Sequence, residues 1–407
     1  MPKHFIIIGG GQAAAQAVQT LRQKKFDGTI TLIGEEGHEP YQRPPLSKKY
    51  LTGELAAERL KLRPASFYPE REITMELGVH AAEIDAAFHR VRLEDGRILE
   101  YDGLMLSTGS RVRRLDISGC ELAGIHYLRT LADADAIRTE LIPGRKLVVV
   151  GAGYIGLEIA SIAAKLGLEV TVFEAAPRVM ARVVCKEVSQ FYEDYHSAKG
   201  VEILCGTGVS AFQGGDHVTA VRTSTGQLHP CDIVVVGVGI KPVVELASEI
   251  GLHCEDGIHV DEYARTSDPC IVAAGDCTNH PNVFTGRSIR LESVHNAIEQ
   301  AKTAALSLLG EAQSYQQVPW FWSDQYDLKL QIAGLSGDHD EIAIRGHPKS
   351  NSFSACYLRD RRLIAIDAVN APQDFIFGKK IIAAETKVTA ERLADSDTNF
   401  KDLLQKI

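Results

Sequence analysis

The chain has 407 residues, 45% of them apolar, enough for two or three domains that each bury a core. Its 44 basic and 53 acidic side chains leave a net charge of −9, which excludes a global basic footprint for nucleic acid. The eight cysteines, at positions 120, 185, 205, 231, 254, 270, 277 and 356, include no Cys-x-x-Cys, so local spacing supports neither a disulfide scaffold nor a zinc or iron–sulfur site. Free thiols, no targeting segment and no apolar run near the ~20 residues of a bilayer span predict a soluble, cytoplasmic protein.

In chain order, His4–Ile8 reads as a strand feeding Gly9-Gly10-Gly11. Helical periodicity follows over Gln12–Gln23, with Ala13, Ala14, Ala17, Val18 and Leu21 on one face. A second strand, Thr29–Ile33, leads to Glu35. Strand, Gly-x-Gly-x-x-Ala, helix, strand and acid make a dinucleotide-binding unit. Gly9 forms the tight turn, Gly11 admits a pyrophosphate to the backbone, and Ala14 lets the helix pack close to the strand. Glu35 is placed to accept from ribose hydroxyls. The helix N-terminus offers free N–H groups and the positive end of its dipole to the phosphates.

The same unit returns with strand Leu147–Val150, glycines Gly151, Gly153 and Gly156, strand Val170–Phe173 and the acid Glu174. Two complete units predict two bound dinucleotides. Glu174 stands where NADP would place its 2′-phosphate, and a carboxylate there favours NADH, although Arg178 and Arg182 are close in sequence. The first loop suits NAD or FAD on this argument alone. A helix is expected to begin near Val294 and run to Leu308. The tail reads as strands Leu328–Ile332, Ile342–Arg345, Phe353–Leu358 and Leu363–Val369, then a helix over about 373–384. That suits an antiparallel sheet with helices packed on it.

Five segments accompany the glycine loops: P-Y-Q-R-P-P-L-S-K at 40–48, L-M-L-S-T-G at 104–109, I-V-A-A-G-D-C at 271–277, R-L-E-S-V-H-N at 290–296 and P-W-F-W-S-D-Q at 319–325. With both loops in this order, the whole chain resembles the FAD-dependent ferredoxin and rubredoxin reductases of bacterial oxygenase systems. The resemblance implies an α/β fold of glutathione-reductase type. It comprises two Rossmann-like dinucleotide-binding domains, for FAD (1–112 and 243–320) and NAD (113–242), and a C-terminal α+β domain (321–407). It implies FAD contacts from Gly9, Gly11, Ala13, Ala14, Glu35, Arg43, Lys48, Ala81, Thr108, Gly109, Arg129, Asp276 and Val294. NAD contacts fall to Gly151, Gly153, Ile155, Gly156, Glu158, Glu174, Arg182 and Gly239. The catalytic positions are Lys48 near the isoalloxazine, Glu158, and Trp322 beside the flavin. The implied reaction is hydride transfer from NADH to FAD, then two single-electron transfers to a 2Fe-2S ferredoxin or a rubredoxin, by a monomer or weak homodimer. One departure is Lys241-Pro242-Val243, where the family has Asn after the Pro.

Disulfide reductases of this fold carry a reactive cysteine pair where this chain has Arg43–Lys49, and peroxidases or oxidases a single cysteine; this stretch has none. Electrons are therefore expected to leave the flavin directly. A stand-alone NADH oxidase, or a quinone- or monodehydroascorbate-type reductase, is the alternative; a nucleotide-gated signalling flavoprotein is a remote one. Residues 42–63 carry six basic and two acidic side chains, which would steer an acidic ferredoxin despite the acidic total. No metal site is expected. Cys277 reads as a small buried side chain and His295 as a polar residue lining the flavin; the other histidines, such as His280 and His339, have no metal-ligand spacing, and most are expected at the surface.

Overall fold

The computed structural model describes residues 3–404. The chain divides into two units. One holds the chain up to Gln42 with Ala57–Arg111 and Lys241–Pro319; the other holds Arg43–Ala56, Val112–Ile240 and the chain from Trp320 onward.

The first unit is built on a parallel sheet in the order Ile271–Ala273, Gly103–Leu106, His4–Ile8, Thr29–Gly34, Ile73–Leu77. Ile6 lies in register between Thr31 and Leu104. Successive side chains point to opposite faces, and both faces are covered, so the strands read as unbroken apolar runs. Phe5 and Ile7 bury with Ala14, Ala17, Val18 and Leu21 of the Gln12–Gln23 helix and with Ala301, Ala304 and Ala305 of the Val294–Leu308 helix. Ile6 and Ile8 bury on the other face with Ile84, Val91 and Leu93 of a small antiparallel sheet, Ala81–Asp85, Arg90–Leu93 and Ile98–Glu100. The alanines let the two helices pack directly on one another. After Ile271–Ala273, the loop is tied to the second helix by Gln300, whose Oε1 accepts from Gly275 N and Thr278 Oγ1, each at 2.8 Å.

The second unit carries another parallel sheet, in the order Glu202–Cys205, Glu169–Glu174, Lys146–Val150, Ile233–Val236, Ile125–Tyr127. Helices Leu131–Glu140, Tyr154–Lys165 and Lys186–Ala198 belong to it. Its C-terminal part is an antiparallel sheet in the order Trp320–Gln325, Leu328–Gly334, Arg362–Val369, Ser352–Arg359, Glu341–His347, with helix Pro372–Ala383 packed on its middle strands. The P-W-F-W-S-D-Q motif is thus the edge strand of this sheet, turned back at Tyr326, whose φ is 57°.

One segment groups away from its neighbours in sequence. Arg43–Ala56 groups with the second unit rather than the first. Arg43 Nη1 donates to the Arg129 carbonyl at 2.7 Å, Tyr50 Oη donates to Asp135 Oδ1 at 2.7 Å, and Arg138 lies over the Tyr50 ring. His280 differs from expectation: it is 2% exposed, in strand Thr278–Asn282, with its ring edge-on to Tyr315. Burial pushes its imidazole down to about 4. Among the described residues, no helix is long and apolar enough to cross a membrane.

Asp367, on strand Arg362–Val369, is 1% exposed and accepts a hydrogen bond from Tyr357 Oη, which in turn accepts from Cys185 N. Burial pushes its carboxyl from 3.8 up to about 7. Between those values the unfolded chain has lost the proton and the folded chain keeps it, so stability falls as pH rises through this window. Asp367→Asn removes that slope. Urea unfolding at pH 5 and pH 7 is expected to show the wild type losing on the order of 2 kcal/mol that the variant retains. Parallel curves would place the Asp367 carboxyl in solvent.

Candidate functional site

The two glycine loops share one geometry. Gly9 has φ 127°, and a Cβ there would stand 2.1 Å from the Ser107 carbonyl oxygen. Gly151 has φ 101°, with the Gly237 carbonyl oxygen 2.5 Å from the same point. Only glycine turns the chain there. A Cβ at Gly156 would meet the Gly151 oxygen at 2.0 Å, whereas its counterpart Ala14 fits its methyl at 0% exposure. At Gly11 and Gly153 a Cβ meets nothing within 4 Å. The second glycine of each loop therefore faces open space at a helix N-terminus, which fits a dinucleotide pyrophosphate.

The acids that close the two units differ. Glu35 is exposed just beyond strand Thr29–Gly34. Glu174 accepts from the backbone N–H of Ala152 at 2.7 Å through one oxygen and of Ala176 at 2.8 Å through the other. It therefore braces its own glycine loop, with one lone pair on each oxygen left for a ribose hydroxyl. Arg178 spends its guanidinium on the carbonyls of Ala181 and Val184. Arg182 is exposed, and its Nη2 lies 3.9 Å from the Cβ position of Gly239. Ile155, at the start of the Tyr154–Lys165 helix, is 44% exposed.

In the first unit, Asp276 accepts from Ser110 Oγ at 2.9 Å. Thr108 Oγ1 donates to the Val243 carbonyl at 2.7 Å, and Val243 N donates to the Gly109 carbonyl, so the departure at Lys241-Pro242-Val243 is held by backbone bonds. Val294 opens its helix behind the N-cap Ser293, whose side chain accepts from Asn296 N. His295 is buried beside it, and Ala81 is buried at the start of its strand. Cys277 is 0% exposed and burial raises its thiol, which makes it an inert small side chain.

The second unit brings together Lys48, Glu158 and the strand that carries Trp322. Pro44 and Pro45 preset the short 3₁₀ turn Pro44–Ser47, which ends at Lys48. Glu158 is 3% exposed in the Tyr154–Lys165 helix. Its Oε2 accepts from Lys48 Nζ at 2.7 Å and Ser47 Oγ at 2.5 Å, and its Oε1 from Ser323 Oγ at 2.6 Å. Phe321 packs on Tyr154, one helical turn before Glu158, so the strand runs along the helix. Trp320 and Trp322 sit together on the opposite face of the strand, with ring centroids 5.5 Å apart. Arg43 and Arg129 meet through the Arg43–Arg129 carbonyl bond. Ser47, Ser323 and Gln300 were missed in the sequence reading: each acts through a partner more than 20 residues away, and small polar residues give no periodic signal.

Of the six basic residues in 42–63, Arg43 and Lys48 are bonded as described, Lys61 pairs with Glu39, and Arg63 bonds Gln19. Lys49 and Arg59 are exposed. His253, Glu255 and His259, unremarked in the sequence, bring their ligand atoms within 4.8 Å of one another. The two rings contact at 4.1 Å between centroids.

The pyridine nucleotide-disulphide oxidoreductase family matches residues 3–301, and the Reductase C-terminal family matches residues 320–404. The ferredoxin reductase subunit of 5,5'-dehydrodivanillate O-demethylase from Sphingobium sp. is 44% identical over 98% of each chain. Putidaredoxin reductase of Pseudomonas putida is 40% identical over 98% of this chain and 96% of its own. A crystal structure of a ferredoxin reductase from Rhodopseudomonas palustris matches with TM-score 0.96 at 43% identity, over 98% of this chain and 99% of that one. The covalent putidaredoxin reductase–putidaredoxin complex matches with TM-score 0.96 at 40% identity, over 99% and 98%. With two dinucleotide loops, no thiol in the 43–49 turn and a full-length match to these reductases, the chain belongs to the pyridine nucleotide-disulphide oxidoreductase family, in the ferredoxin-reductase branch that ends in a Reductase C-terminal domain.

Proposed function

We propose that this protein takes a hydride from NADH onto FAD and passes the electrons singly to a 2Fe-2S ferredoxin, or to a rubredoxin, that serves an oxygenase. The observation that carries this reading is the pair of Lys48 with the buried Glu158, on a turn with no cysteine, in a chain with two open glycine loops. Bound FAD supplies the hydride acceptor and the one-electron donor. The FAD domain is assigned to 1–112 and 243–320, the NAD domain to 113–242 and the C-terminal domain to 321–407. Gly11, with Glu35 and Asp276, would hold FAD; Gly153, with Glu174 and Arg182, would hold NADH. The N–H groups at Val294 offer fixed positive charge where the flavin gains negative charge. Lys48 adds a cation, and Trp322 an aromatic face. These residues bind, orient and place charge, and none needs to carry a proton.

The acceptor class is supported by relatives. Putidaredoxin reductase has been captured in covalent complex with putidaredoxin, and a rubredoxin-NAD(+) reductase of Pseudomonas putida is 38% identical to this chain. All eight cysteines are free, which suits a reducing cytoplasm. The test is NADH-dependent cytochrome c reduction with purified 2Fe-2S ferredoxins and rubredoxins. Fast turnover is expected only with an iron–sulfur partner. Fast water-forming oxidation of NADH by oxygen alone would favour the stand-alone oxidase.

Glu174 sets the nucleotide preference in this reading. Glu174→Ala with an arginine added beside it should raise NADPH relative to NADH by about tenfold in kcat/KM, the value of one charge contact. KM for NADH should rise as well, because Ala152 N and Ala176 N lose their acceptor. An unchanged ratio refutes the role.

A further inference from the structure

Glu158 is bonded from two sides, and the side away from Lys48 has no part in the chemistry above. Oε2 serves Ser47 and Lys48, while Oε1 accepts from Ser323. Behind Ser323 the bonds continue. Gln325 Nε2 donates to Ser323 Oγ at 3.1 Å, and Gln325 Oε1 lies 2.8 Å from His196 Nε2. Ser323, Gln325 and His196 are each 0% exposed.

The carboxylate sets the direction of every bond, because it only accepts. Ser323 must donate to Glu158, so its oxygen accepts from the Gln325 amide. That turns the Gln325 carbonyl toward His196, which must donate from Nε2. His196 therefore carries a proton on Nε2. Consistently, its Nδ1 has no hydrogen-bond partner, and burial pushes the imidazole down to about 4. The pleat explains the sequence: positions 323 and 325 share a strand face, opposite Trp322.

We infer that Ser323, Gln325 and His196 form a positioning relay for the Lys48–Glu158 pair. Ser323 fixes Oε1 so that Oε2 is presented to Lys48, and Gln325 and His196 hold the Ser323 hydroxyl in its donating orientation. The relay sets where the Lys48 ammonium stands. This rests on the reading that Lys48 lies beside FAD.

The test uses the FAD-loaded enzyme. Ser323→Ala removes one hydrogen bond to a charged group. It should slow NADH reduction of the flavin by about tenfold in stopped flow and shift the absorption bands of the bound flavin. In a Glu158→Ala background the same change should have less than about a twofold further effect, since its target is gone. A full tenfold loss there would mean that Ser323 acts elsewhere. Independently of flavin chemistry, ¹⁵N NMR at pH 7, assigned by loss of the signal in His196→Gln, should show His196 protonated on Nε2; protonation on Nδ1 overturns the relay. Lys48→Met separates the two claims. If it leaves spectrum and rate unchanged, the placement of Lys48 by the flavin fails, and the relay stands or falls on the NMR result. If it slows reduction while Ser323→Ala does not, the relay fails.

Discussion

Glu158→Ala is expected to destabilise the protein by about 3 kcal/mol, the lower end of the cost of leaving one member of a buried ion pair without its partner, since Lys48 is partly exposed. Glu158 is 3% exposed and Lys48 keeps 17% side-chain exposure, so the carboxylate leaves behind a largely buried ammonium. Ser47 and Ser323 lose their acceptor at the same time. Glu158→Gln should cost less, about 1–2 kcal/mol. Its carbonyl can face Lys48, which cannot accept, while its NH2 meets a Ser323 oxygen that already accepts from Gln325 and has a second lone pair to offer. Urea unfolding of both variants reads the difference. A loss below about 1 kcal/mol for Glu158→Ala would place the pair in the class of solvated surface bridges.

Alanine at Gly9 and at Gly11 should fail for different reasons. At Gly9 the methyl would collide with the Ser107 carbonyl oxygen, and the backbone, at φ 127°, is one that alanine resists. The two together should cost about 3 kcal/mol or more, with loss of FAD as a consequence of unfolding around the loop. Gly11 has φ −105° and open space at its Cβ position. Gly11→Ala should fold with near-wild-type stability as the apoprotein, yet hold FAD at least about tenfold more weakly, because the methyl enters the space meant for the pyrophosphate. Thermal unfolding of the apoproteins and FAD titration by fluorescence separate the two effects. If Gly11→Ala binds FAD normally, the first loop does not cradle the pyrophosphate.

The features legible in the sequence are those set by short-range chemistry. Both glycine loops, their strands and the Gln12–Gln23 helix follow from spacing within some 30 residues, and the tail strands follow from alternation. What escaped was whatever long-range packing decides. Nothing local told that the turn after Arg43 would bond Arg129 and Glu158 and so group with the second unit. Nothing local told that Glu174 would cap the backbone of its own loop. His280 was misplaced because an isolated histidine carries no signal of its strand's depth, and that strand is buried. Glu158 itself was legible as a motif position, but its three donors come from residues 47, 48 and 323.

The edge strand Trp320–Gln325 has a consequence for recombination. Positions 320 and 322 carry the two tryptophans, and Phe321 and Ser323 meet the Tyr154–Lys165 helix. Inserting or deleting one residue between Pro319 and Ser323 would exchange the faces and set an indole against the buried carboxylate. A hybrid that borrows its last 88 residues from a relative therefore has to cross over ahead of Trp320 and keep the spacing from the Val318-Pro319 junction unchanged.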